Sequence, residues 1–331
     1  MRRRELLRCM GIAAAASALP RAVGAQQTIH RLAFVHSGIP ADKLTESAGP
    51  YWVRRVYQTL RELGHVEGRN LIVERYSAEG RSERFASLAA EVTGRNPDVV
   101  IVNSDGLAKA FAAATSTIPL VVIVGDPVAN GLLTNLAHPG NNLTGVSIDA
   151  GMEINGKRLQ IIKEAMPKAA KVAALLSGVL TTTSPYREAA RQLGIEVITN
   201  QLSEVNEQRL RRAFAEIAQQ QMDAAIIDEG GSFLAQRALM VELEEKHRLP
   251  VVFPYRDYVE LGGLMAYGPD LGELAQRMAD DVHQILNGKK AGDIPFYQPN
   301  KFQLIINLKT ARSLGVEVPS SLLARADEVI E

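Results

Sequence analysis

Short apolar runs alternate with stretches of helical periodicity through the first half of the chain. Residues 31–36 (RLAFVH) form the first continuous apolar run, a pattern typical of a buried strand. Apolar residues then recur with a period of about 3.6, which predicts an amphipathic helix. The elements predicted for this half are a strand at 31–36, a helix through Val53, Val56, Tyr57, Leu60 and Leu63, a strand at 71–76, a helix capped by Ser82 that carries Phe85, Leu88, Ala89 and Val92, a strand at 99–102, a helix from Asp105 to Thr115, and a strand at 120–124.

The same order of elements recurs after residue 170. Residues 98–104 (DVVIVNS) resemble residues 223–229 (DAAIIDE), and each segment contains a predicted strand followed by polar residues. Continuous apolar strands joined by helical crossovers indicate parallel sheets that are covered by helices on both faces. The elements predicted for this half are a strand at 171–176, a helix at 185–193, a strand at 195–199, a helix that begins at Asn206 and aligns Leu210, Phe214 and Ile217, a strand at 224–228, a helix that ends at His247, and a strand at 250–253.

The third part of the chain is predicted to cross back to the first unit. A strand at 264–267 is followed by a helix for which Asp270 and Glu273 form an approximate capping box and which ends at Asn287-Gly288. Elements placed after the second unit can complete the first, and several crossings of this kind make a hinge. The predicted fold class is therefore α/β, with two similar doubly wound parallel-sheet lobes joined by a hinge.

The candidate ligand-binding residues lie in loops that follow the predicted strands. Ligands of parallel sheets bind beyond the carboxyl ends of the strands, and two facing rows of polar loops suit a small molecule held in the cleft between the lobes. The candidates are Ser37, Asn103, Ser104, Asp105 and Asp126 in the first lobe, and Asp228, Glu229, Tyr255 and Arg256 in the second.

Each candidate also has a purely structural interpretation. Ser104 opens a helix whose amides suit an anion, and it suits a simple N-cap equally well. Asp228 and Glu229 either bind an amine or cap the helix that follows. Asp126 is typical of a turn in which the carboxylate bonds to its own backbone, and Arg256 either clamps a carboxylate or forms a surface ion pair.

The first 27 residues have the features of an export signal. Arginines precede a short apolar run at 11–19, and small residues surround an A-x-A-like site at 23–25. The pattern at 3–7 (RRELL) favours a twin-arginine signal, with an ordinary secretory signal as the alternative. We therefore expect residues 1–25 to be a cleaved signal. The mature protein is expected in the periplasm and without a lipid anchor, since no lipobox precedes Cys9.

Composition excludes several classes of function. The only cysteine, Cys9, falls in the predicted signal, so no disulfide, cysteine nucleophile or Cys-ligated zinc is expected in the mature chain. The chain has 37 basic and 37 acidic residues; removing residues 1–25, with five arginines and one glutamate, leaves 32 basic and 36 acidic, a net charge of −4. This mild acidity offers no basic surface to nucleic acid.

The sequence also lacks the usual signatures of catalysis. It contains no nucleophile elbow, P-loop, dinucleotide fingerprint or H-E-x-x-H pair, and its six histidines have no metal-ligand spacing. Together with the predicted export and the two-lobed fold, this favours binding over catalysis. No cofactor, metal or catalytic residue is expected.

Eight segments resemble a family of ABC-transporter substrate-binding proteins that includes tryptophan/tyrosine-binding lipoproteins. The last two segments are the most specific, and the resemblance spans essentially the whole mature chain. The segments are 60–70 (LRELGHVEGRN), 78–81 (AEGR), 114–119 (ATSTIP), 125–128 (GDPV), 139–147 (PGNNLTGVS), 261–270 (LGGLMAYGPD), 301–315 (KFQLIINLKTARSLG) and 319–330 (PSSLLARADEVI).

The resemblance implies a type I periplasmic-binding fold with three hinge crossings. Lobe one would comprise residues 28–145 and 269–297, and lobe two residues 146–268 and 298–331. The protein would be a monomeric receptor that traps a small molecule, such as an amino acid, an aromatic compound or a related metabolite, and delivers it to an ABC permease in the inner membrane. Asp105 departs from the family's pattern at its helix start; if it faces the cleft, a cationic or hydroxylated ligand is the hypothesis that follows.

Other functions stay open at this point. A ligand-sensing protein of the same fold would present its closed form to a signalling receptor. An exported α/β hydrolase or lyase would use Asp228 or Glu229 as a base. A lactose-repressor-like regulator shares the fold, but this chain has a predicted export signal in place of a DNA-binding headpiece. Trp52, the only tryptophan, and Tyr255 either stack on a ligand ring or fill the core.

Overall fold

The computed structural model describes residues 28–148, 153–177 and 186–331, which form two α/β lobes. The predicted export signal at 1–25 lies outside the described residues. So do Gly178 and Pro185, which belong to a predicted strand-end loop and a predicted helix start.

The first lobe contains a five-stranded parallel sheet in the order β2-β1-β3-β4-β5. Its central strands, β3 and β4, are buried at every position because helices cover both faces, as their continuous apolar sequence predicts. The elements are β1 (His30–His36), α1 (Tyr51–Glu62), β2 (Leu71–Ser77), α2 (Phe85–Gly94), β3 (Val99–Asn103), α3 (Asp105–Ala114), β4 (Leu120–Val124) and β5 (Leu143–Ser147).

The second lobe contains a seven-stranded sheet in the order β12-β11-β10-β9-β8-β6-β7. Its pairs are parallel except for β10 and β11, which run antiparallel. The first elements are α4 (Glu153–Ala165), β6 (Lys171–Ser177), α5 (Arg187–Leu193), β7 (Glu196–Leu202), α6 (Glu207–Gln219), β8 (Ala224–Ile227), α7 (Gly231–Ala235), α8 (Arg237–His247), β9 (Val251–Phe253), α9 (Arg256–Val259) and β10 (Met265–Pro269). The chain then forms α10 (Leu271–Leu286), which packs on the first lobe. The second lobe is completed by β11 (Phe302–Asn307), α11 (Leu308–Leu314), α12 (Ser320–Leu323) and β12 (Glu328–Ile330).

The chain crosses between the lobes three times. The first crossing follows β5. The second follows β10, since the next helix, α10, packs on α1 and β5 of the first lobe. The Tyr297 N–H then donates to the Gly145 carbonyl at 2.9 Å before β11 returns to the second sheet. The predicted lobe boundary after residue 145 falls inside β5, whose pairing with β4 continues to Ser147 and so moves the end of the first segment beyond that residue.

The predicted helix starts agree only in part with the structure. The helix predicted to begin at Asn206 does so, and the Asn206 side chain caps it by accepting the Arg209 N–H. Ser82 instead opens a short 3-10 turn, and α2 begins three residues later without a side-chain cap. Asp270 caps α10 by accepting the Gly272 N–H at 2.8 Å, but Glu273 accepts the Tyr297 hydroxyl rather than completing a capping box.

The lobes share part of their core. The largest cluster of buried apolar side chains includes Leu32 of the first sheet and Phe253 of the second. A buried carboxylate also joins the lobes, because Asp257 Oδ1 accepts the Tyr51 N–H at 3.1 Å. Within the described ranges, every helix is too short or too polar to span a bilayer.

Candidate functional site

A cleft of about 800 Å³ lies between the two lobes, at the carboxyl ends of their strands. This is the position that parallel sheets favour for a ligand, and both lobes contribute to the wall. The lining residues are Ser37, Gly38, residues 79–83, Phe85, residues 104–106, Val124, Gly125 and Ile148 from the first lobe, and Ile154, Asn155, Ser177, residues 202–206 and residues 228–232 from the second.

A smaller cavity, here called the inner chamber, adjoins the cleft and has a volume of about 50 Å³. It lies between the lobes, with Trp52 and Asn103 on one side and Glu229 and Tyr255 on the other. Ser104 and Glu229 line both cavities. The full lining is His36, Trp52, Asn103, Ser104, Ile123, Ile148, Glu229, Gly231, Leu234, Tyr255 and Leu271.

Ser37 and Asn103 join the ends of β1 and β3. The Ser37 N–H donates to Asn103 Oδ1 at 2.6 Å, and Asn103 Nδ2 donates to Ser37 Oγ at 3.1 Å. Both residues are buried, so the pair fixes the floor of the first lobe's wall. Ser37 lines the cleft, whereas Asn103 lines the inner chamber.

His36 supports the same floor in its neutral form. Its Nδ1 accepts the backbone N–H groups of Gly38 and Ile39 at 2.9 and 2.8 Å, which places the ring proton on Nε2. Burial lowers the pKa of His36 to about 3, and the nearby Arg237 charge acts in the same direction. The imidazole therefore adds no positive charge to the inner chamber.

Ser104 occupies a strained position at the start of α3. Its φ of +70° is unusual for a residue with a side chain, and such strain is concentrated at functional sites. The Ser104 N–H donates to the Ile123 carbonyl at 3.0 Å, but the hydroxyl does not cap the helix. The structure therefore does not use Ser104 as the simple N-cap that was the alternative interpretation.

Asp105 lines the cleft and is held by its own lobe. Its Oδ1 accepts the Gly125 N–H at 3.0 Å and Asn130 Nδ2 at 2.6 Å. Burial raises the pKa of Asp105, and these two hydrogen bonds oppose the rise. One carboxylate oxygen is thus committed to the loop, and a carboxylate has acceptor capacity beyond these two bonds.

Asp228 ties together the ends of β6 and β8. Its carboxylate accepts the Ser177 N–H at 2.6 Å, the Ser177 hydroxyl at 3.0 Å and the Gly230 N–H at 2.9 Å. Burial raises the pKa of Asp228 to about 7; the Ser177 hydrogen bond opposes this and the charge of Glu229 adds to it. The side chain lines the cleft, but it mainly shapes the loop.

Glu229 is paired with a buried arginine that was not predicted as a site residue. Arg158 of α4 is fully buried, its Nη2 lies 2.6 Å from Glu229 Oε1, and its Nε donates to the Tyr267 carbonyl at 2.9 Å. A charged residue within the apolar stripe of a helix was the available signal, since Arg158 follows Ile154 by one turn and precedes Ile162 by one turn.

Tyr255 is buried beside this pair. Its hydroxyl donates to the Glu229 carbonyl at 3.1 Å, and the ring lines the inner chamber rather than the cleft. Trp52 is also buried, with its ring edge-on to Phe34 at a centroid distance of 5.7 Å. Both aromatic residues thus pack in the core, and each also forms part of the chamber wall.

Two predicted ligand residues do not reach either cavity. Asp126 Oδ1 accepts the N–H groups of Val128 and Ala129, which is the turn interpretation given above. Arg256 forms ion pairs with Glu260 and Glu328 of the second lobe, and its guanidinium lies 5.6 Å from the centroid of the Tyr51 ring. Position after a strand was not sufficient for these two, because protein groups away from the cavities bind both side chains.

Two further segments of the cleft wall, residues 79–83 and 202–206, were not predicted from the sequence. They follow β2 and β7, which were both predicted as strands. The rule applied to the other strand ends would therefore have found them. The segment at 79–83 contributes Arg81, whose guanidinium pairs with Glu79 at 2.7 Å.

Comparison with known proteins agrees with this architecture. Residues 51–330 match the model of the family described as ABC transporter substrate binding protein. The chain belongs to this family. It is thus the solute-binding protein of an ABC transporter and not an enzyme, as the sequence predicted.

The relatives include a tyrosine-binding protein of Clostridioides difficile (strain R20291), 24% identical over 270 residues that cover 78% of this chain and 75% of that protein. A conserved domain protein from Vibrio cholerae superposes with a TM-score of 0.77 at 24% identity, covering 91% of this chain and all of that one. The ABC domain in complex with L-Trp from Streptococcus pneumonia superposes with a TM-score of 0.74 at 20% identity, covering 92% of this chain and all of that one. These likenesses confirm the predicted fold class.

Proposed function

We propose that this solute-binding protein closes its two lobes over an amino acid that carries a free ammonium group. The observation that carries the proposal is the charge of the cleft. Of the described residues that line it, one is basic, Arg81, and six are acidic: Glu79, Glu83, Asp105, Glu204, Asp228 and Glu229. An acidic wall favours a cationic group and disfavours a ligand with net negative charge.

Asp105 is the carboxylate best suited to meet the ammonium group. Arg158 already balances Glu229, and hydrogen bonds from Ser177 and Gly230 surround Asp228. Asp105 accepts hydrogen bonds from neutral groups, and the charge of Lys109 on the same helix acts on it without a salt bridge among the described residues. The names of the two relatives, which refer to tyrosine and L-Trp, support an α-amino acid as the solute.

Closure and delivery form the rest of the proposal. Ligand contacts from both lobes favour the closed state, and a ligand without such differential contacts would not drive closure. The closed form is then recognised by a permease in the inner membrane. We place the monomeric, unanchored receptor in the periplasm after cleavage near residue 25. Lobe one would comprise 28–148 and 270–297, and lobe two 153–269 and 298–331.

A thermal-unfolding screen against the L-amino acids tests the solute class. Free ligand at a hundredfold excess over Kd stabilises the folded state by about 2.7 kcal/mol through mass action. We expect at least one amino acid to raise the melting temperature, and to change the small-angle scattering profile as the lobes close. Profiles that superimpose with and without that ligand would contradict closure.

Asp105→Asn and Asp126→Asn form a matched pair for the ammonium contact. Both replace an aspartate close after a strand of the first sheet, but Asp126 lies outside the cleft. A charge-assisted hydrogen bond contributes about 1.5–3 kcal/mol, so Asp105→Asn should weaken binding by about tenfold or more. Titration calorimetry should show unchanged binding for Asp126→Asn. Equal affinities for the two variants would rule out the assigned contact.

A further inference from the structure

The inner chamber contains two buried polar atoms whose partners are not found among the described residues, Trp52 Nε1 and Ser104 Oγ. Trp52 is only 3% exposed and its Nε1 atom is buried, so its N–H has no access to bulk water. A buried donor left without an acceptor costs about 1–3 kcal/mol. Two such groups on the wall of one small cavity indicate that a polar group belongs there.

The Glu229 carboxylate provides an acceptor on the opposite wall. Its Oε1 pairs with Arg158 at 2.6 Å, and a carboxylate offers about four lone-pair positions in total. The chamber wall thus combines an N–H donor, a hydroxyl that can donate or accept, and an anionic acceptor. Trp52 and Ser104 belong to lobe one and Glu229 to lobe two, so a group that bonds to all three joins the lobes.

We propose that the inner chamber receives one hydroxyl group of the ligand. The hydroxyl oxygen accepts the Trp52 Nε1–H and the Ser104 Oγ–H, and the hydroxyl proton is donated to the Glu229 carboxylate. A hydroxyl has one donor and two acceptor positions, which matches these three partners. This inference rests on the proposed function only in requiring that the cleft binds a small solute.

Other polar groups match the chamber less well. An ammonium group has three donors and no acceptor, so it would leave the Trp52 N–H unbonded. A carboxylate would accept from Trp52 and Ser104, but it would lie against the carboxylate of Glu229. The remaining wall includes Ile123 and Leu271, which suits the carbon that carries a hydroxyl.

The chamber is reached from the cleft. Ser104, Ile148, Glu229 and Gly231 line both cavities, so one end of a ligand in the cleft lies against the chamber. Its volume of about 50 Å³ is sufficient for a hydroxyl or a single water and is too small for a ring. The chamber therefore binds the hydroxyl at one end of the ligand, while the acidic wall of the cleft contacts the ammonium group.

Pairs of compounds that differ by one hydroxyl test the proposal. Suitable probes are L-tyrosine with L-phenylalanine, L-threonine with L-2-aminobutyrate, and D-ribose with 2-deoxy-D-ribose, measured by titration calorimetry. We expect the hydroxylated member of at least one pair to bind about tenfold or more tightly than its partner. If no hydroxylated member binds more tightly than its deoxy partner, the proposal is overturned.

Two substitutions connect this preference to the chamber. Ser104→Ala and Trp52→Phe each remove one hydrogen-bonding group, and each should reduce the affinity ratio of the pair. Ser87→Ala is the matched control, because Ser87 is an exposed serine of α2 that bonds to the Arg84 carbonyl. Ser104→Gly removes the same hydroxyl and relieves the φ of +70°, which covers the case in which Ser104→Ala fails to fold.

A water molecule is the other source of the same hydrogen bonds. If water fills the chamber in the bound state, both members of each pair bind alike and the substitutions lower both affinities equally, which overturns the proposal. Trp52 fluorescence adds a direct readout, since this is the only tryptophan of the chain. Its emission should change with the hydroxylated probe and not with the deoxy probe. If only the ribose pair binds, and D-ribose binds more tightly than 2-deoxy-D-ribose, the amino-acid function is refuted and the chamber assignment is supported.

Discussion

Breaking the Arg158–Glu229 ion pair should destabilise the second lobe, and by an amount that depends on which partner is removed. Arg158 is fully buried and Glu229 has 23% of its side chain exposed towards the cleft. Arg158→Met leaves the Glu229 carboxylate unpaired but partly hydrated. Glu229→Met leaves the Arg158 guanidinium unpaired and without contact with water.

The magnitudes follow from this difference in burial. Removing one partner of a buried pair costs about 3–5 kcal/mol, most of it from the charge left behind. We expect Arg158→Met to cost about 3 kcal/mol, even though it also loses the hydrogen bond to the Tyr267 carbonyl. Glu229→Met should cost about 5 kcal/mol.

The double variant is the decisive measurement. With both charges replaced by methionine, no uncompensated charge remains, so the double variant should be more stable than Glu229→Met alone. The coupling energy of the cycle should then exceed about 2 kcal/mol in magnitude. Arg191→Met is the matched control, because Arg191 forms an exposed ion pair with Glu188 in the same lobe and its removal should change nothing measurable.

Urea unfolding followed by circular dichroism gives these free energies. Trp52 fluorescence reports on the first lobe in the same samples, and coincident transitions justify a two-state analysis. Additive effects in the double variant would refute the energetic pairing. A larger cost for Arg158→Met than for Glu229→Met would refute the argument from burial.

Two further predictions concern stability. Burial, with the Asp280 charge adding to it, raises the pKa of Asp281 from 3.8 to about 7, so the folded chain keeps a proton that the unfolded chain has lost. The stability that protonated Asp281 contributes is therefore present at low pH and is lost as the pH rises towards 7. Between pH 4 and 7, the free energy of unfolding of Asp281→Asn should rise relative to that of the wild type by about 1.4 kcal/mol per pH unit, as measured by denaturation at several pH values. Gly230→Ala would place its Cβ 1.9 Å from Ser177 Oγ, and should cost about 1–3 kcal/mol in urea unfolding, whereas alanine at exposed Gly94 meets no atom and should not destabilise.

Strands whose apolar residues are continuous were predictable from the sequence, and β5 was not. Residues 143–147 (LTGVS) contain three small or polar residues, yet every position of the strand is buried. The structure satisfies the polar groups individually: Thr144 donates to the Ile294 carbonyl at 2.9 Å and Ser147 to the Gly125 carbonyl at 2.8 Å. These partners lie in other segments of the chain, so local periodicity contains no signal for them.

The helix α4 was missed for a related reason. Arg158 interrupts its apolar stripe, and this charge is tolerated only because Glu229 lies across the fold, 71 positions later. The strands β11 and β12 were not predicted, although residues 304–306 (LII) of β11 form a buried apolar run. The antiparallel pairing of β11 with β10 depends on the third crossing between the lobes, which periodicity does not specify.

The candidate site shows the same division between position and orientation. The chain order of strands and helices placed Ser104, Asp105 and Glu229 at the cleft, because the carboxyl ends of parallel strands share one edge. The same rule selected Asp126, which turns back to cap its own loop. Which way a loop side chain points depends on hydrogen bonds within the loop, and the sequence alone does not rank those against a ligand.

Arg158 also connects the cleft to a hinge crossing. Its guanidinium contacts Glu229 in the cleft wall, and its Nε bonds to the Tyr267 carbonyl, three residues before the chain enters α10 of the first lobe at Asp270. Asp270 in turn accepts Gln303 Nε2 at 2.9 Å, which joins the second crossing to the strand that follows the third. In the proposed closure, a ligand that bonds to Glu229 would contact a carboxylate whose partner, Arg158, is bonded to the segment between the lobes. Since a ligand shifts a two-state equilibrium only through its different affinities for the two states, these contacts would affect closure only if the Arg158–Glu229 pair differs between the open and the closed form.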